Sequence, residues 1–155
     1  MALAAKQKDK VRRWIRVIMV FIAALLLLFA AAIPVINNAI ALSVENQLKK
    51  LPLPPDTELI ESTSRAAKLV GNGNGMQYFG AILVKSDLSF DALQTHYEQH
   101  DCIVQVQLSA EIDWANSNAP SFRHQDYDGP YFIVYRWGSA PAWLRDLLDT
   151  DLRGH

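Results

Sequence analysis

The residues best equipped for chemistry gather in one stretch, 109–130, which holds Glu111, Asp113, Trp114, Phe122, Arg123, His124, Asp126, Tyr127 and Asp128. Glu111 and Asp113 lie two apart and can share a face, and a carboxylate pair is the usual equipment for general acid–base work. With His124 and Asp126 they would make a hydrolase or a metal-dependent site. The same stretch is rich in Trp, Tyr, Phe and Arg, the side chains that carry most of the binding energy at protein interfaces. On that reading Trp114, Phe122, Arg123 and Tyr127 are the contact residues for a protein partner. A third reading makes the stretch structural, pinned by its aromatics onto a sheet, with a short helix around 113–116. Residue types alone rank the pinned loop first, partner contact second and catalysis third.

Three smaller constellations compete with plainer roles. His96 and His100 are four apart on a helical pattern, a spacing that puts two imidazoles on one face, as zinc sites require. The glutamate that a catalytic HExxH needs after the first histidine is replaced by Tyr97. Imidazoles near a helix C-terminus also interact favourably with the helix dipole, the commoner role. Asp126, Asp128 and Gly129 resemble the opening of a calcium loop, but apolar residues follow Pro130 where ligands should be. The Gly-Asn pentapeptide 71–75 offers backbone N–H groups to an anion, yet a strand pattern follows it rather than a lysine and a helix. It reads as a hairpin turn, with a weak contact role in reserve. Cys102 is the single cysteine, so no intrachain disulfide forms, and its place before Ile103 and Val104 suits a small buried residue at a strand start. No motif calls for a cofactor.

What must position these residues begins at the membrane. The apolar run 17–36 carries no charge and follows Lys6, Lys8, Lys10, Arg12, Arg13 and Arg16, opposed by Asp9. Twenty helical residues span about 30 Å, the hydrocarbon thickness of a bilayer. Basic flanks stay on the cytoplasmic side, so the sequence predicts a single-pass protein of the cell membrane with its N-terminus inside and its domain outside. A cleavable signal is the rival reading. Its apolar stretch would be shorter than this one, although Ala30, Ala31 and Ala32 offer the small residues of a cleavage site.

Half of the 155 residues are hydrophobic, many of them in this run. From Asn37 onward nine Lys and Arg face fifteen Asp and Glu, a balance of −6 that the whole-chain value of −1 conceals. An acidic domain argues against nucleic acid as a partner. No N-x-S/T site is present, which fits a bacterial envelope better than an animal cell surface.

Residues 37–51 predict an amphipathic stalk with the stripe Ile36, Ile40, Val44, Leu48 and Leu51. Pro34 would open this second helix or kink the first, and Lys49 and Lys50 would sit in its last turn. The stripe would pack on the chain's own domain or on a second copy. Pro52, Pro54 and Pro55 make 52–56 an extended linker. The remainder, 57–155, predicts an α+β domain of order ββαββα. Its elements are a weak edge strand over 58–70, a central strand over 76–85, and a helix capped by Ser89 with Phe90, Leu93 and Tyr97 on one side. An alternating strand over 103–108, an aromatic strand over 131–137 and a last helix opened by Ser139, Ala140 and Pro141 complete the order. Two hairpins joined by a helix give a four-stranded antiparallel sheet with helices on one face. The leading expectation is a membrane-tethered, non-enzymatic binding domain; the alternatives are an envelope hydrolase using 109–130, and a structural subunit assembling through its membrane helix and stalk.

Overall fold

A computed structural model describes residues 2–70, 75–112 and 119–151. One helix, α1 (Ala2–Leu48), contains both the apolar run and the amphipathic segment after it. Next come β1 (Thr57–Ala67), β2 (Gln77–Ser86), α2 (Phe90–Glu98), β3 (Ile103–Val106) and β4 (Tyr131–Gly138). A 3₁₀ turn (Ala142–Leu144) and the four-residue α3 (Arg145–Leu148) follow. The architecture is α+β: a long apolar N-terminal helix and an antiparallel sheet of order β1-β2-β4-β3.

No second helix starts at Pro34, because α1 runs through it. Proline removes one backbone hydrogen bond from a helix interior. The turns on either side are held from outside, Ile33 in an apolar cluster and Asn37 by side-chain hydrogen bonds. The helix stops at Leu48, so Lys49 and Lys50 fall just beyond it. The buried stripe also differs from Ile36, Ile40, Val44, Leu48 and Leu51. It runs Ile33, Asn37, Ala41, Val44, Leu48, while Ile36 and Leu42 are exposed. Ile40 packs against the same cluster, so apolarity misplaces Ile36 alone, where polar Asn37 faces the domain instead.

Strand alternation sorts the sheet into two faces. Tyr78, Gly80, Ile82 and Val84 of β2, with Phe132 and Val134 of β4, face α1 and α2. Phe79, Ala81 and Leu83, with Tyr131, Ile133 and Tyr135, face the other way, where Ile112 and Phe122 of the long connection cover them. β1 is an edge strand with a bulge between Leu59 and Glu61. β2 is buried along most of its length, as a central strand should be.

Ser89 caps α2, its hydroxyl accepting from the Ala92 N–H at 3.3 Å. Leu93 and Tyr97 are buried on its inner face, but Phe90 is exposed. β3 ends at Val106 and not at 108. Val104 is buried as the alternation requires, whereas Val106 and Leu108 are exposed and Gln107 is buried. Gln107 turns inward because its amide donates to the carbonyls of Ser109 and Glu111, both at 2.7 Å, and so starts the long connection. The predicted last helix is reduced to the 3₁₀ turn and one helical turn.

Candidate functional site

Two regions hold polar side chains where structure alone would favour apolar ones. The first is the seam between α1 and the sheet. Two strand glycines let the helix approach: a Cβ on Gly80 would lie 2.6 Å from the Glu45 backbone nitrogen and 2.8 Å from Val44 Cγ1. A Cβ on Gly138 would collide with Val44 Cγ2. Glycine inside a strand commonly marks such a close approach.

Either side of this contact, one polar residue of α1 is buried. The Asn37 amide donates to the Leu148 carbonyl at 3.0 Å and to Asp151 Oδ2 at 2.9 Å, and its carbonyl oxygen accepts from the Tyr78 hydroxyl at 2.8 Å. Burial, with Asp149 and Asp151 nearby, pushes the Tyr78 phenol up to about 12. Two turns on, the Glu45 carboxylate accepts from Ser62 and Ser64 of β1, both at 2.6 Å, and lies 3.5 Å from Lys49 Nζ. Burial alone would raise its pKa, but the two hydroxyl donors and the lysine outweigh it, and Glu45 is held below its usual value. The polar middle of β1 is explained by this clamp.

The second region is the face covered by described residues of 107–112 and 119–130. Phe122 is a core residue, 2 % exposed, with its N–H bonded to the Ala110 carbonyl at 2.9 Å. The Arg123 side chain is 97 % exposed, with Nε 3.6 Å from Glu61. Its backbone N–H and that of His124 donate to the same carboxylate at 2.8 and 3.0 Å. Tyr127 is half-buried against His124 and Tyr131, with ring centroids 5.2 and 5.3 Å away. Its hydroxyl is buried with no hydrogen-bond partner among the described residues, and burial beside Glu61 raises its pKa. Trp114 and Asp113 lie outside the described residues, as do the short helix expected around 113–116 and most of the 71–75 turn.

Of the four residues of the hydrolase reading, His124 and Asp126 meet through the His124 ring nitrogen and the Asp126 carbonyl. Asp126 Oδ1 accepts from the Asp128 N–H at 3.0 Å, an Asx turn that accounts for the calcium-like spacing. Glu111 is exposed. Its N–H meets Ser109 Oγ at 3.3 Å and its carbonyl the Gln107 amide, so its described bonds are those of its backbone. His96 points elsewhere than to a shared metal: its Nε2 lies 2.9 Å from the Pro52 carbonyl, tying the linker to α2. Among the described residues no group of three His, Cys, Asp or Glu is placed to hold a metal ion. Cys102 is buried, its thiol 3.3 Å from the His100 carbonyl, and burial raises its pKa.

An open cleft of about 540 Å³ runs beside α1, lined by Ser43, Gln47, Asp101, Arg136, Trp137 and Ser139. Arg136 spans it to reach the Gln47 side-chain oxygen. Sequence reasoning missed the seam residues Asn37 and Glu45. The one sequence trace of the seam is the pair of strand glycines, Gly80 and Gly138, which mark the close approach but not its polar residues. No protein-family model matches the chain, and neither a curated protein nor a solved structure is significantly similar to it.

Proposed function

We propose that the chain is a single-pass membrane protein, with residues 17–36 in the bilayer, its basic N-terminus in the cytoplasm and its domain outside, in a bacterial envelope. The observation that carries this reading is a contrast along one helix. From Val17 to Phe29 the large apolar side chains of α1 are exposed, while Val44 and Leu48 of the same helix are core residues. Side chains such as Val20, Leu26, Leu27 and Leu28, each at least 64 % exposed, need a solvent other than water. Because helix and domain share a core, the domain is held rigidly at the membrane and not on a loose tether.

At that surface the domain acts as a binding module. Confinement to the membrane surface raises the effective concentration of a domain for membrane-bound partners. The recognition side chains are Arg123 and Tyr127 of the described part of 109–130, and Trp114, from the same stretch of sequence, is the third candidate. Phe122, being core, supports them from below. Pairing with a second copy through the stalk would use Val35, Ile36 and Leu42, which are exposed, since Val44 and Leu48 serve the chain's own domain.

Two measurements test the proposal. Protease added to intact cells should digest the domain and spare residues 1–36, and the protein should resist extraction from membranes by alkali. A domain left intact, or a protein released by alkali, defeats the topology. Crosslinking from membranes should capture a partner that the Trp114→Ala, Tyr127→Ala double variant loses with its circular dichroism unchanged; undiminished capture removes this face from consideration.

A further inference from the structure

We propose that the turn Ala142–Leu144 is a second membrane contact, a foot whose Trp143 ring rests in the outer headgroup layer beside the point where α1 leaves the hydrocarbon. This inference rests on the membrane-anchored reading above. Trp143 is 82 % exposed, more than any other large apolar side chain among the described residues. Isolated exposed apolar residues are ordinary, so its position must carry the argument.

That position is fixed from both sides. Ala140 and Leu148 are buried in one cluster with Ile33 and Ala41 of α1, and Leu144 and Leu147 pack against it. The Asn37 side chain binds the Leu148 carbonyl and Asp151. Residues 140–151 therefore clasp α1 across Ile33 and Asn37, and the apolar run ends between them, at Ile36. One helical turn is about 5.4 Å, so the clasp sits within about a turn of the hydrocarbon boundary.

The direction of the sheet agrees. β2 runs alongside α1 in the same sense, with Tyr78 bonded to Asn37 and Gly80 against Val44. The start of β2, the end of β4 and residues 68–70 after β1 thus form the end nearest the bilayer. Val70, 45 % exposed, belongs to that end. The opposite end of the sheet carries Asp56, Glu58 and Asp87, all exposed and acidic, and so is kept from anionic headgroups. Tryptophan is the side chain that most favours the interface, its ring apolar and its N–H able to bond headgroup or water. Arg145, exposed two residues on, suits lipid phosphate, but exposed Asp146 beside it offsets its charge, so the contact rests on the Trp143 ring. A helix alone leaves the domain free to lean; a foot beside it sets the tilt of the sheet and hence the direction in which the 109–130 face looks.

The test uses the full chain reconstituted in phosphatidylcholine vesicles whose acyl chains carry bromine, a quencher of tryptophan fluorescence. One variant, Trp14→Phe, Trp114→Phe and Trp137→Phe together, keeps Trp143; a second keeps Trp14 instead. Both should lose intensity to a similar degree. Quenching of Trp14 with none of Trp143 overturns the foot and leaves the anchor standing. No quenching of Trp14 overturns the anchor and the foot with it. Should the multiple variant fail to fold, Trp143→Cys in the otherwise unchanged chain carries a nitroxide, Cys102 being buried. An oxygen-to-nickel-chelate relaxation ratio well above that of the same label at Arg123→Cys, a 97 % exposed site, supports the foot, and an equal ratio overturns it.

Discussion

The two faces of the sheet are covered in opposite ways. On the helix face the covering element satisfies its own backbone, so side chains are free to fix where it sits, and Asn37 and Glu45 do so by reaching into the strands. On the other face the cover is irregular chain, whose N–H and C=O groups need partners from elsewhere. There the side chains serve the backbone: Gln107 bonds two carbonyls, and Glu61 takes the N–H groups of Arg123 and His124. The first arrangement couples the position of the long apolar helix to the sheet. The second holds a loop in place while leaving an outward side chain such as Arg123 free to vary, which is what a recognition surface requires.

The sharpest way to break this contrast is to deny the helix its seat. Gly80→Val should destabilise the domain by about 3 kcal/mol through overpacking, because even the first added carbon meets the α1 backbone. Thermal unfolding in detergent reads it, and an unchanged midpoint would mean that α1 does not lie on β2. Asn37→Ala should cost about 2 kcal/mol, since it strips an acceptor from the buried Tyr78 hydroxyl and a donor from Leu148. In a double-mutant cycle with Tyr78→Phe the two losses should be less than additive; simple additivity would deny their coupling.

How far the sequence revealed these two faces differs for a physical reason. Helical periodicity located α2, and apolar and aromatic runs located β2 and β4. An unbroken apolar run located the membrane-length part of the N-terminal helix, whose continuity through Pro34 was not foreseen. Val44 and Leu48 were legible from helical periodicity as well. Asn37 and Glu45 were not, because a buried polar residue reads as surface until its partners are known, and those partners lie 111 and 17 residues away in Leu148 and Ser62. The role of Gln107 was hidden likewise: alternation placed it outside, and its two carbonyl partners placed it inside. In 109–130 the aromatics announced a pinned loop correctly in Phe122, but nothing in the spacing distinguished that core residue from its exposed neighbour Arg123.

Glu45 sharpens the comparison through pH. Its folded pKa is lowered from the usual 4.5, so its contribution is fully present above the ordinary value and is lost as pH falls through the folded one. Glu45→Gln should cost about 1.5 kcal/mol at neutral pH, and the gap from the parent chain should close as the pH drops below 4.5. A gap that persists in acid would assign the loss to packing and not to charge.

The smallest effects belong to the other face. Glu61→Gln should cost about 1 kcal/mol and speed amide exchange at Arg123 and His124, the two N–H groups its carboxylate accepts. Arg123→Ala should cost below about 0.5 kcal/mol, since an exposed ion pair contributes little and a side chain 97 % in water has little packing to lose. The value of that last substitution lies in its separation of roles. A variant that unfolds with the parent chain yet captures less partner from membranes would show the loop face to be built for contact. One that unfolds several degrees earlier would show Arg123 to be part of the cover, and the distinction between a coupling face and a recognising face would lapse.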